Sequence, residues 1–229
     1  MSARSPFSDD WPKTVLFDLD GTLVDSAPDL ATAVDQMLTA LDRPPAGPDK
    51  VRQWVGNGAA MLVRRALADR FDHERATAVD ASVFDDALAR FFQFYTRANG
   101  RQARVYEGVH PFLQALGSRG CGLGVVTNKP GIFTGPLLAQ MDLAHWFPVT
   151  VSGDTLATRK PDPAPIHHAI RQLGAEAGST LMVGDSITDI RAARNAGIPV
   201  VAVRYGYHGG EPVDTLGADF VVDSLTELL

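Results

Sequence analysis

Cysteine is almost missing from this chain of 229 residues: Cys121 stands alone, so no disulfide framework can form within it. Lysine is scarce as well, with only Lys13, Lys50, Lys129 and Lys160 among 21 basic residues. Where arginine supplies most of the positive charge, a lysine in a turn beside a strand end reads as chosen for its compact ammonium. A basic stripe is lacking, and a net charge of −6 argues against a nucleic-acid partner. No apolar run approaches the ~20 residues needed to cross a bilayer. The segment from Met1 to Lys13 is polar and carries prolines, without the apolar core of a signal peptide. Internal repeats and low-complexity tracts are absent too. With 45% hydrophobic residues the chain can still bury a sizeable core. The expectation is a soluble cytoplasmic protein, monomer or homodimer, with neither membrane nor nucleic acid as a partner.

What is present is organised around one stretch, Val15-Leu16-Phe17-Asp18-Leu19-Asp20-Gly21-Thr22-Leu23-Val24-Asp25-Ser26. Its apolar start is too short for a helical period and reads as a buried strand. Residues two apart on a strand share a face, so Asp18 and Asp20 begin by pointing the same way. Gly21 permits a sharp turn after them. If they are solvated, the pair is only an Asp-Gly turn. If they are buried, their repulsion demands either a cation between them or a proton on one.

After Asp25 the pattern becomes helical. Ser26 with Asp29 three residues on has the form of a capping box, with Pro28 in the first turn. Helices are expected from there to Leu41, over 49–55, over 59–70 and over 83–97, with a Gly56-Asn57-Gly58 break; no strand is evident between Ser26 and about Arg104. Strands then return at 121–126, 148–151, 180–183, 199–203 and 220–222, separated by helical stretches at 111–119, 132–141, 163–173 and 187–196. That alternation implies right-handed crossovers and a parallel sheet covered on both faces. The expected fold is α/β: a Rossmann-like parallel sheet with helices on both faces, plus an inserted all-helical cap. Residues 1–25 and 105–229 would form the core and 26–104 the cap. Ligands of such sheets bind beyond the carboxyl ends of the strands. Asp18, Asp20, Thr127, Asn128 and Asp185 all fall there.

Two further segments carry chemistry. In Arg159-Lys160-Pro161-Asp162-Pro163 the prolines exclude helix around Lys160 and fix where its ammonium sits. In Gly184-Asp185-Ser186-Ile187-Thr188-Asp189 a strand, a tight turn and an acid are followed by a second acid; Ser186 is placed to cap the next helix and Asp189 to lie in its first turn. Asp18, Asp20, Asp185 and Asp189 around one mouth carry more negative charge than Lys160 alone can offset, so a divalent cation is needed there.

In order, the segments at Asp18, Thr127, Lys160 and Asp185 resemble the four motifs of the haloacid dehalogenase superfamily of phosphohydrolases. Within it, Arg52-Gln53-Trp54-Val55-Gly56-Asn57-Gly58, Gly153-Asp154-Thr155-Leu156 and Gly197 through Tyr207 resemble bacterial phosphoglycolate phosphatases. One departure is Tyr106-Glu107-Gly108, where that subgroup usually has Tyr-Pro-Gly. The resemblance implies that Asp18 is the nucleophile and forms an aspartyl-phosphate, and that Asp20 is the general acid and base. It implies Mg²⁺ on Asp18, the Asp20 carbonyl and Asp185, with Asp189 orienting the ligands. Thr127, Asn128 and Lys160 would hold the phosphoryl oxygens, so the partner would be a small phosphorylated metabolite. For 2-phosphoglycolate, the cap would grip the carboxylate through the Arg52 fork and the N–H groups of the turn at Gly56 and Gly58. A sugar-phosphate phosphatase, a β-phosphoglucomutase-like enzyme or a pyrophosphate hydrolase would keep all four motifs. A phospho-receiver module shares the strand-end aspartate, Mg²⁺, Thr and Lys, but the helical insert speaks against it. His208, in the loop after the strand at 199–203, keeps a surface role or one at the mouth.

Overall fold

The computed structural model describes residues 11–72 and 76–229. Residues 1–10, most of the polar start noted above, and 73–75 lie outside the described residues. Six strands make one all-parallel sheet: β1 Thr14–Phe17, β4 Gly122–Val126, β5 Val149–Val151, β6 Thr180–Gly184, β7 Val200–Val203 and β8 Phe220–Val222. Their order is β5-β4-β1-β6-β7-β8, so β1 lies inside the sheet and is buried throughout. The alternation of its side chains serves two cores. Val15 and Phe17 face one cluster with Val125, Val183 and the helix α5 (Val109–Ser118). Leu16 faces the other, with Met182 and residues of α7 (Ala164–Gln172) and α8 (Ile187–Ala196). Helices thus cover both faces, as a parallel sheet requires. The expected α/β fold is the observed one.

A third cluster is drawn almost wholly from α1 (Ala27–Thr39), α2 (Pro48–Trp54), α3 (Ala59–Ala68) and α4 (Ala81–Ala98). Phe133 at the start of α6 (Gly131–Gln140) joins it from the sheet side. An edge-on contact with Phe92, centroids 5.4 Å apart, seats that ring against α4. The helical segment is entered and left through a two-stranded antiparallel ribbon, β2 (Val24–Asp25) with β3 (Arg104–Val105). Two-residue strands carry no readable periodicity, and the sequence reading placed none between Ser26 and Arg104.

The expected capping box at Ser26 is not formed. Ser26 makes no side-chain cap and donates its hydroxyl to Asp20 at 2.5 Å instead. Asp29, fully buried, accepts the backbone N–H groups of Gly100, Gln102 and Ala103 at 2.7, 2.7 and 3.3 Å. The acid three residues into the helix therefore pins the returning chain just before β3, a use that a capping pattern does not reveal.

Candidate active site

The sheet register builds the mouth. Phe17 pairs with Val125 on one side and Val183 on the other, so Asp18, Thr127 and Asp185 leave neighbouring strands at the same edge. Beyond Asp18 the chain folds back at once: Leu19 C=O accepts from the N–H groups of Leu23 and Val24, each at 3.0 Å. Gly21 makes this possible, with φ +91° and only hydrogen facing Asp185; a Cβ there would lie 2.3 Å from Asp185 Oδ2. The same loop and the one after β7 then hold Asp185. Thr22 Oγ1 donates to its Oδ1 at 2.9 Å, and the Tyr207 N–H to its Oδ2 at 2.6 Å.

Lys160 lies among these acids, almost fully buried. Its Nζ donates to Asp189 Oδ1 at 2.6 Å and lies 2.8 Å from Asp18 Oδ1. The second approach is an ion pair by distance but not by alignment, so Asp18 Oδ1 is buried without a hydrogen-bond partner. The capping box expected at Ser186 is formed, and Asp189 Oδ2 accepts from the Ser186 N–H and hydroxyl at 3.0 and 2.6 Å. Both Asp189 oxygens are thereby engaged. Burial pushes the Asp18 carboxyl up to about 7; Lys160 opposes the rise, while Asp189 and Asp20 add to it. Burial, reinforced by Asp189 and Asp18, likewise drives Asp185 well above the usual carboxylate range. Burial alone would lower Lys160, but the charges of Asp18 and Asp189 outweigh it and raise the lysine.

Buried acids held above their ordinary range, one with an orphaned oxygen, are a poor arrangement for a protein alone and a good one around a cation. Carboxylate oxygens of Asp18, Asp185 and Asp189 lie within 4.8 Å of one another. An all-oxygen donor set suits a hard divalent ion. The residues present fit such an ion, with Asp18 and Asp185 the freer ligands and Asp189 occupied in fixing Lys160.

A second charged group stands on the side facing the helical segment. Lys129 Nζ donates to Asp20 at 3.0 and 3.3 Å and to the Tyr95 hydroxyl at 2.5 Å, and its side chain is 2% exposed. Asn128 Nδ2 donates to the carbonyls of Gly56, at 3.2 Å, and Lys160, at 3.0 Å, tying the cap turn to the mouth. A cavity with about 470 Å³ of empty space, its opening included, is enclosed between the two parts. Asp18, Asp20, Thr127 and Asn128 line its floor, and Gly56 and Gly58 its cap side.

Arg52 is not brought into this cavity. Its guanidinium donates to both oxygens of Asp25, at 3.0 and 2.8 Å, and lies 5.0 Å from the Tyr207 ring. Burial would lower it, but the hydrogen bonds to Asp25 raise it further above the usual guanidinium range. The grip on a substrate carboxylate expected of Arg52 is thus replaced by a clasp between α2 and the ribbon, which Tyr207 completes by donating its hydroxyl to Asp25 at 2.6 Å. His208 borders a separate surface recess with Arg52 and Tyr207.

The sequence analysis gave no role to Tyr95 or to Tyr207. Lys129 left a signal, being one of four lysines and placed at a strand end. Tyr95 left none, since a buried aromatic at helical spacing looks the same whether or not its hydroxyl reaches a site.

Comparison with known proteins agrees with this geometry. The sequence model of the family described as haloacid dehalogenase-like hydrolase matches residues 15–203. The chain is 46% identical over 218 residues to a phosphoglycolate phosphatase of Pseudomonas putida, covering 95% of this chain and 79% of that protein. It is 41% identical over 217 residues to a phosphoglycolate phosphatase of Nitrosococcus oceani, covering 95% of each. Among solved structures, that of a predicted phosphoglycolate phosphatase from Haemophilus somnus 129pt superposes with a TM-score of 0.86 at 35% identity, covering 94% of this chain and 96% of that one.

Proposed function

The chain belongs to the haloacid dehalogenase-like hydrolase family, and from that premise we propose that it is a Mg²⁺-dependent phosphatase whose substrate is 2-phosphoglycolate. The observation that carries the reading is the buried Asp18 on the floor of a capped cavity, ion-paired to Lys160 and gathered with Asp185 and Asp189. Asp18 attacks phosphorus while the ester P–O bond breaks, and Asp20 gives its proton to the departing oxygen. Water then attacks the aspartyl-phosphate, Asp20 takes the water's proton, and the P–O bond to Asp18 breaks to release phosphate. Lys160, the Thr127 hydroxyl and the Asn128 N–H hold the phosphoryl oxygens on which charge spreads. Asp189 keeps the Lys160 ammonium in place. Asp18, the Asp20 carbonyl and Asp185 would hold the Mg²⁺. When bound, the ion supplies positive charge that offsets the acids and the incoming phosphate.

The chain's relatedness to phosphoglycolate phosphatases supports 2-phosphoglycolate over other esters. The cap wall supports it over sugar phosphates: Leu30, Val55, Leu62, Phe91 and Phe133 offer a polyol no hydrogen bonds. Hydroxyls desolvated against such a wall are costly. Phosphate release from 2-phosphoglycolate, a hexose phosphate, pyrophosphate and an aryl phosphate, with Mg²⁺ and with excess chelator, tests the proposal. Activity should be highest on 2-phosphoglycolate, vanish on chelation and vanish in Asp18→Asn. Preference for a hexose phosphate or pyrophosphate removes the substrate assignment, and full activity in chelator removes the metal.

A further inference from the structure

With Arg52 committed to Asp25, the carboxylate of the proposed substrate needs another partner. We propose that the Lys129 ammonium and the Tyr95 hydroxyl form its binding point, so that the enzyme selects short phosphate esters of hydroxy acids. This assignment rests on the phosphatase reading given above.

The cavity has two poles. At one, Asp18 lines the floor where the phosphoryl group belongs, and Lys160, itself not part of the lining, pairs with it at 2.8 Å. At the other, Lys129 is the only basic residue among the described residues that line the cavity. The exposed Arg159 stands by Gly58 and is not part of that lining. Arg65, the buried guanidinium of the cap, is spent on the carbonyls of Trp54 and Phe71 and on Asn57 Oδ1, at 2.6, 3.1 and 2.8 Å. An anionic leaving group entering past the apolar cap wall therefore meets one cation.

The charge and the hydroxyl at that point suit a carboxylate. An ammonium has three N–H donors, and Lys129 directs them to both oxygens of Asp20 and to Tyr95, so it offers a positive charge rather than a spare proton. The Tyr95 oxygen is the acceptor in the last of these bonds, so its own proton remains to be given. No described acceptor takes it, although Tyr95 is 1% exposed. Stacking on Phe91 at 5.4 Å and contact with Phe133 at 4.7 Å fix the ring, so the hydroxyl is held in place. One unassigned donor held beside a positive charge complements a carboxylate.

Lys129 adjoins Asp20, the group that serves the departing oxygen, so a handle bound there lies on the leaving-group side of the ester. A two-carbon acid places its carboxylate one carbon from that oxygen. Longer or hydroxyl-rich groups would extend along the apolar wall.

The test compares 2-phosphoglycolate with ethyl phosphate, which replaces the carboxylate by a methyl group. The readout is the ratio of their kcat/KM values, because a substitution at Lys129 also disturbs Asp20 and lowers both rates. Lys129→Met should reduce the ratio on the order of 10–100-fold, the loss of a positive charge close to the carboxylate. Tyr95→Phe should reduce it several-fold, and Arg52→Ala should leave it unchanged. Should Lys129→Met not fold, Tyr95→Phe carries the test, since it removes one oxygen and keeps the ammonium. A ratio that survives both substitutions overturns the assignment while leaving the phosphatase reading intact. A wild-type ratio near one removes the 2-phosphoglycolate reading itself, and with it the carboxylate site.

Discussion

At the scale of single residues, the mouth is held together by charges that do not suit one another without a ligand. Asp18 is the clearest case, because burial lifts its carboxyl from 3.8 to about 7. Between those values the folded protein keeps a proton that the unfolded chain has released. Stability of the metal-free protein must therefore fall as pH rises through this window. Asp185 acts in the same direction, its carboxyl being driven up by burial and by the neighbouring aspartates. The melting temperature of chelator-treated protein should accordingly drop between pH 5 and pH 8. Asp18→Asn, which cannot ionise, should flatten that drop, and saturating Mg²⁺ should do the same in the wild type by favouring the ionised acids. A slope identical in wild type and Asp18→Asn would show that the Asp18 carboxyl is not its source. Lys160 does not disturb this reading, because a raised lysine contributes throughout the window and loses its effect only at more alkaline pH.

At the scale of elements, the decisive pieces are short connections. Asp29 in the first turn of α1 satisfies three backbone N–H groups of the segment that returns to β3. Asp29→Ala leaves those donors without the carboxylate, one of them buried and two part-buried, and should cost about 3 kcal/mol of stability in chemical denaturation. A loss below about 1 kcal/mol would mean that water reaches the hinge and replaces the carboxylate. The same region shows what the sequence could and could not convey. Strand ends and acids were legible because burial and chain reversal leave local marks: Val15 to Phe17 is an unbroken apolar run, and Gly21 and Gly184 each stand beside an acid. The ribbon was illegible because two residues have no period. The partners of Ser26, Asp29 and Arg52 were illegible because each has a sound local role and takes a distant one. Ser26 finds Asp20, Asp29 finds residues 71 to 74 positions away, and Arg52 finds Asp25. A local pattern ranks only local partners, and tertiary contacts here offered better ones.

At the scale of the molecule, the insert meets the sheet domain through Phe133, through Lys129 and through a group of polar contacts around one turn. Asn128 Nδ2 donates to Gly56 C=O, Asn57 Nδ2 donates to Thr188 Oγ1 at 3.1 Å, and the Arg52–Asp25–Tyr207 group stands behind them. Gly58 lies at the centre of this contact, just before α3, with φ +84°. A Cβ on it would come within 3.1 Å of the Asn128 carbonyl and of Arg159 Nη1, so the backbone at Asn128 must give by a few tenths of an ångström. Gly58→Ala therefore meets two penalties, a left-handed backbone that costs an L residue about 1–2 kcal/mol and a contact against backbone. Withdrawal of the cap from the mouth relieves the contact, stretching the bonds at Gly56 and Thr188. Closure excludes water and completes the binding of a small leaving group, so the closed population sets the rate. The expected result is a fall of about tenfold in kcat/KM, equal for 2-phosphoglycolate and ethyl phosphate, because closure rather than carboxylate recognition is impaired. Amide exchange at Gly56 to Ala59 should quicken, while the sheet strands keep their protection. Wild-type activity in Gly58→Ala would show that the turn does not govern closure, and a loss confined to 2-phosphoglycolate would move Gly58 from closure to recognition of the carboxylate.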